Sequence, residues 1–82
     1  MEQKIKQDAK IPIGENIRSL RKEKGIGQTE LVRRLQLVGV VMTRETLVKI
    51  ERGIQHIQAS QLKGIRDVLE VTYDEILKEK DN

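Results

Sequence analysis

Thr43-Arg44-Glu45-Thr46-Leu47-Val48-Lys49-Ile50-Glu51-Arg52-Gly53 reads as a short helix with both of its ends marked. Thr43 suits an N-cap, because its hydroxyl can accept a hydrogen bond from a backbone N–H of the first turn. Gly53 supplies a residue that tolerates a left-handed turn where the helix stops. Met42 and Leu47 stand at the spacing of a hydrophobic staple across that N-cap. Leu47 and Ile50 point one way and pack, whereas Arg44, Glu45, Val48 and Lys49 point elsewhere and leave a long polar face free. The neighbouring segments are read by how they hold this helix.

The chain has 82 residues, enough for one small domain with a modest core and too few for a deep cleft plus a second domain. With no Trp or Phe and only Tyr73, the core must be built from Ile, Leu and Val, and a stacking platform for single strands is not expected. Cysteine is absent, which excludes disulfides, thiolate nucleophiles and cysteine metal sites. His56 stands alone in a polar stretch, so no metal is expected. Asp74-Glu75 looks like helix N-terminus electrostatics and not an acid/base dyad. No glycine-rich stretch follows a strand, so no phosphate loop and no cofactor are expected. With no nucleophile and base constellation either, an enzyme is not expected. No apolar run approaches the roughly 20 residues that span a bilayer, and the N-terminus lacks an apolar signal segment, which makes the cytoplasm the expected location.

The net charge of +3 is unevenly spread. Residues 1–53 hold 12 Lys and Arg against 7 Asp and Glu, while residues 54–82 hold 4 against 6. A basic half that carries the polar-faced helix suits a polyanionic partner.

Met1 to Pro12 is polar, contains lysines and lacks a helical stripe, so residues 1–12 are expected to form a flexible basic arm before a domain spanning 13–82. Ile13, Ile17 and Leu20 recur at helical spacing and predict a first helix to about Lys24, stopped by Gly25. A second starts at Gln28 behind Gly27 as a weak N-cap, packs through Leu31, Val32 and Leu35, and ends near Leu37. The third is Thr43 to about Arg52. After a polar loop, Ile54 to Ala59, Ser60 is the expected cap of a fourth, with Leu62, Ile65, Val68 and Leu69 inward. Thr72 and Glu75 make a capping box, stapled by Val71 and Ile76, for a fifth that frays toward Asn82. No segment alternates convincingly with period two. The expected fold is all-α, with five helices and no repeat.

Ile17 to Gly25, Gln28-Thr29-Glu30-Leu31 through Leu35, and Thr43 to Gly53 together resemble the phage-repressor and Cro-like helix-turn-helix family, the Xre-type regulators. Helix one ends in Lys-Gly, Gln opens helix two, and Lys-Ile-Glu-Arg-Gly closes helix three, in order and at compatible spacing over roughly residues 13–77. The resemblance implies a five-helix lambda-repressor-like domain that binds double-stranded DNA as a homodimer and regulates transcription as a repressor. It implies base contacts from Arg44, Glu45 and Lys49, whose donors and acceptor fit guanine and cytosine edges. It implies backbone contacts from Gln28, Thr46, Arg52 and Gln55, with Thr46 also able to meet a thymine methyl and the lysines of the arm as further phosphate contacts. It also implies a structural salt bridge between Arg21 and Glu51. The plainer alternative for Glu45 and Lys49 is a solvated i, i+4 ion pair worth ~0.3 to 0.5 kcal/mol.

This chain leaves the family pattern in two places. Gly27 stands where the family prefers Ser or Thr. The turn between helices two and three, usually three or four residues, is lengthened by about five. Leu37, Val38, Val40, Val41 and Met42 make it more apolar than a solvent-facing loop requires. They suit a second reading, a protein-interaction module such as an antitoxin or a regulator's partner on the same scaffold.

Overall fold

The structure, a computed structural model, describes residues 4, 5, 8 and 10–80. In chain order the elements are β1 (Lys4–Ile5), α1 (Ile13–Glu23), α2 (Gln28–Leu37), α3 (Arg44–Glu51), β2 (Ile57–Gln58), α4 (Ala59–Leu69) and α5 (Tyr73–Ile76). Helix α1 packs against α3, α4 and α5, and α2 packs against α3 and α4. Their apolar stripes meet in one aliphatic core in which Ile17, Leu31, Leu35, Leu47, Ile50, Ile65, Leu69 and Ile76 are essentially inaccessible to water. Burial of Leu and Ile stripes at helical spacing is the main stabilising term in such a domain.

Local signals set the helix ends. Thr43 has extended backbone, and its Oγ1 accepts a hydrogen bond from the Thr46 N–H at 3.1 Å. Met42 and Leu47 are both buried across this cap, as a staple requires. Thr72 and Glu75 cap each other's backbone at the start of α5, with Val71 and Ile76 buried on either side. Helices α1, α2 and α3 each stop in a paired turn in which the N–H groups of two successive residues bond back to the last carbonyls. In α3, Gly53 donates to the Ile50 carbonyl and Ile54 to that of Lys49, both at 3.0 Å. Gly53 has a φ of 77°, which L side chains rarely adopt.

The five helices are as expected, and a short strand pair accompanies them: Lys4 pairs with Gln58 and Ile5 with Ile57, antiparallel. Part of the expected arm is therefore built into the domain. Lys10 and Ile11 donate backbone N–H bonds to the Asp8 carboxylate, and Lys80 donates to the Lys10 carbonyl. Residues 1–3, 6, 7 and 9 of that arm lie outside the described residues, as does Asn82. The stretch expected as a polar loop from Ile54 to Ala59 contains buried Ile57, which anchors β2 in the core. Helix α4 starts one residue before Ser60: Gln58 is the N-cap, its N–H donating to Gln61 Oε1 at 2.9 Å, so Ser60 lies inside the first turn.

The lengthened turn runs from Val38 to Thr43 and divides by residue. Val40 and Met42 turn inward, while Leu37, Val38 and Val41 are 74%, 59% and 82% exposed. Val40 can approach α4 because position 64 is glycine; a Cβ there would lie 2.8 Å from Val40 Cγ2.

Gly14 performs the same service between α1 and α3, where an added Cβ would run into the Ile50 carbonyl oxygen. Gly14→Ala must push the two helices apart, with an expected loss of about 1–3 kcal/mol. Urea unfolding followed by circular dichroism checks it, with the exposed Ser19→Ala as the control.

Candidate nucleic-acid interface

The position of α3 depends on a charged group placed inside the molecule. Arg21 of α1 and Glu51 of α3 are 6% and 3% exposed, and they form a two-pronged ion pair. Arg21 Nε donates to Glu51 Oε2 at 2.7 Å and Nη2 to Oε1 at 2.9 Å, while Nη1 donates to the Ile26 carbonyl at 2.8 Å. Hydrogen bonding to Glu51 raises the Arg21 pKa further above its ordinary value, so this cation stays charged. Gln28, the first residue of α2, adds a third donor: its Nε2 lies 3.1 Å from Glu51 Oε1. The last turn of α3 is thereby tied to both preceding helices. Every prong of the pair is answered, which is the condition under which a buried charge pair is tolerated.

Elsewhere on α3, Arg44, Glu45 and Lys49 are exposed and Val48 is half-buried. With Arg52 and Ile54 they line a shallow depression of about 390 Å³. A second depression of about 460 Å³ lies where α1, the first turn of α2 and α3 converge, lined by Glu15, Arg18, Gln28, Val48, Glu51 and Arg52. Among the described residues, the side chains of Arg44, Glu45, Lys49 and Arg52 have no hydrogen bond or ion pair. The i, i+4 pair of Glu45 and Lys49 that the spacing permits is thus not formed. Exposed helix charges elsewhere do pair. Glu30 holds Arg33 and Arg34, both at 2.6 Å, and Asp67 holds Lys63 at 2.9 Å and Arg66 at 3.0 Å. Hydrogen bonds from Arg33 and then Arg34 lower the Glu30 pKa from 4.5 to about 2. The outer face of α3 therefore keeps three cations and one carboxylate available to a ligand.

The remaining sequence-derived candidates fall around this face. Thr46 is half-buried and its Oγ1 accepts a hydrogen bond from the Thr43 hydroxyl at 3.0 Å, so its first partner is the cap. Gln55 is half-buried in the segment after α3, and His56 beside it is exposed. Lys4, paired in β1, and Lys10 are exposed; Lys10 faces Glu79 at 3.7 Å. The lysine at position 6 lies outside the described residues. Arg18, Val48 and Ile54 carried no site assignment in the sequence reading. For Arg18 a signal existed, since it precedes Arg21 by three residues on one helix face. Among the described residues no group of His, Cys, Asp and Glu could hold a metal ion, and no helix is long and apolar enough to cross a membrane.

With this geometry in hand, comparison with protein-family models matches residues 17–76 to a family described as helix-turn-helix. The match runs from Ile17 within α1 to the end of α5 and leaves β1 and the first turn of α1 outside it. No curated protein matches the chain.

Glu51→Ala would strand the Arg21 guanidinium in the interior, with an expected cost of ~3 to 5 kcal/mol. Thermal melting should show the variant unfolding well below the parent; unchanged melting would refute the structural role. The Glu30 effect has the opposite reach in pH. A carboxyl lowered in the folded state contributes stability above its unfolded pKa and loses it as pH falls through the folded one. Glu30 should therefore support the domain above about pH 4.5 and cease to do so toward pH 2. Carboxyl chemical shifts followed against pH measure this directly.

Proposed function

The chain belongs to the Xre, Cro and lambda-repressor-like helix-turn-helix family of DNA-binding regulators, and we propose that it represses transcription by occupying a specific operator with α3 in the major groove. The single observation that carries this reading is the set of unpaired, exposed charges on α3, a helix held by a buried anchor. Arg44 and Lys49 offer donors to guanine O6 and N7, and Glu45 can accept from cytosine N4. Arg44 at the first helical position is unfavourable to the helix dipole, a cost that a DNA-reading role explains.

Around these residues, Arg52, Gln55, Arg18 and Gln28 meet the phosphates. Gln28 sits at the N-terminus of α2, where free N–H groups favour an anion, and its amide also braces Glu51. Thr46 contributes through its half-buried edge. Phosphate contacts position the protein while base contacts specify the sequence. The active form in this reading is a homodimer in the cytoplasm whose two copies of α3 enter successive major grooves about one turn apart.

A second reading, a protein-interaction module such as an antitoxin or a regulator's partner, is favoured by one observation: Leu37, Val38 and Val41 crowd three exposed aliphatic side chains into the lengthened turn. Solution mass measured alongside duplex titration separates the two. A monomer that ignores all duplex DNA at low salt supports the interaction module.

Selection from a random duplex library followed by footprinting tests the main reading. One enriched motif with two half-sites is expected. On that motif, Arg44→Ala and Lys49→Ala should each cost ~1 to 3 kcal/mol and relax base preference, whereas Arg52→Ala should weaken all sequences alike and lower the salt dependence. Equal losses from Arg44→Ala on every duplex would remove that residue from the base-reading set.

A further inference from the structure

The end of α3 differs from those of the other long helices in one respect. Each is followed by an aliphatic residue whose N–H bonds back to a helix carbonyl: Ile26 to Arg21, Val40 to Leu35, Ile54 to Lys49 and Val71 to Arg66. In this turn the following residue normally makes an apolar contact with the helix it closes. Ile26 and Val40 pack against the core and Val71 is buried, but Ile54 is 64% exposed. Its backbone is fixed by the bond to Lys49, so the side chain stands at a set place on the outer face of α3. Together with half-buried Val48 it supplies aliphatic lining to the depression, which Arg44, Lys49 and Arg52 line with three cations against the one carboxylate of Glu45.

An occupant must therefore be an anion overall and present small apolar groups on the surface it offers. An apolar protein surface meets only the second condition, and a bare phosphate chain only the first. The major groove of duplex DNA meets both, because thymine carries its C5-methyl there beside the base edges. We propose that Val48 and Ile54 form a thymine-methyl subsite, so that this protein selects A·T pairs at the position they face while Arg44 and Lys49 read neighbouring pairs. This rests on the proposal that α3 reads DNA, and it adds two specificity-determining residues to that face. Thymine is the occupant because it is the base that bears a methyl in unmodified DNA.

The test uses the full chain and the duplex that it enriches from a random library. Each thymine of a half-site is replaced in turn by deoxyuridine, which removes the methyl and keeps every hydrogen-bonding group. At one or two positions the parent protein should bind the uridine duplex about four-fold more weakly, the value of one buried methyl-sized group. Val48→Ala and Ile54→Ser should bind thymine and uridine duplexes alike at those positions, while keeping the preferences that Arg44 and Lys49 impose. Ile54 is exposed and Ala is a good helix former, and circular dichroism confirms that both variants fold; if one does not, the other decides. Parent protein indifferent to every uridine substitution overturns the subsite and leaves the reading of DNA by α3 intact. A methyl preference unchanged in the folded variants also overturns it. Failure to enrich any duplex refutes the DNA-reading proposal and the subsite together.

Discussion

The Glu51 carboxylate accepts hydrogen bonds from α1 through Arg21 and from α2 through Gln28, while it belongs to the last turn of α3. Three helices thus meet at one anion, whose bidentate pair with Arg21 is buried. Aliphatic packing of Leu47 and Ile50 alone would tolerate small rotations and slides of α3, because contacts between branched side chains are non-directional. Two parallel N–H···O bonds from a planar guanidinium are directional, and they set both the height and the roll of the helix end. Removing the network would release the geometry of the outer face before it changed any residue on it.

That outer face is carried by only eight residues. An isolated helix of this length is unstable in water, since nucleation is too costly for so few internal bonds. Its form comes from its ends and its underside: the Thr43 hydroxyl, the Met42 and Leu47 staple, the paired turn at Gly53, the two core residues and the Glu51 anchor. With these five restraints acting from below and from the ends, none of Arg44, Glu45, Lys49 and Arg52 is needed to keep the helix folded. They are free of ion pairs among the described residues, in contrast to Glu30 with Arg33 and Arg34 one helix earlier. Structural work and ligand-facing work are divided between different residues of one short element.

Much of this was legible in the chain because the signals are local. Thr43, Gly53, Thr72 and Glu75 act on backbone groups a few residues away, and the apolar positions of α1, α2 and α4 repeat at helical spacing. What depends on distant partners was not legible. Two-residue strands have no period to detect, so β1 and β2 become visible only when residues 4–5 and 57–58 are side by side. Ser60 looked the better cap than Gln58, yet the extended backbone that β2 imposes on Gln58 makes it the start of α4. The lengthened turn read as more apolar than a solvent-facing loop requires, and it took Gly64 on α4 to admit Val40 while Val41 stayed outside. On the interface, charge and resemblance pointed to Arg44 and Lys49; Ile54 emerges only once the end of α3 is in place.

The pairing of Lys4–Ile5 with Ile57–Gln58 gives the front of the chain a mechanical share in its working surface. The partner strand is the continuation of the segment that leaves α3 through Arg52, Ile54 and Gln55. Residues about fifty positions apart in sequence are thus joined by backbone hydrogen bonds, and a change at Lys4 or Ile5 meets that segment directly. Purification strategy is then not neutral for this domain. A label at the C-terminal side adjoins the bond from Lys80 to the Lys10 carbonyl, whereas one joined ahead of Lys4 adjoins the strand pair itself.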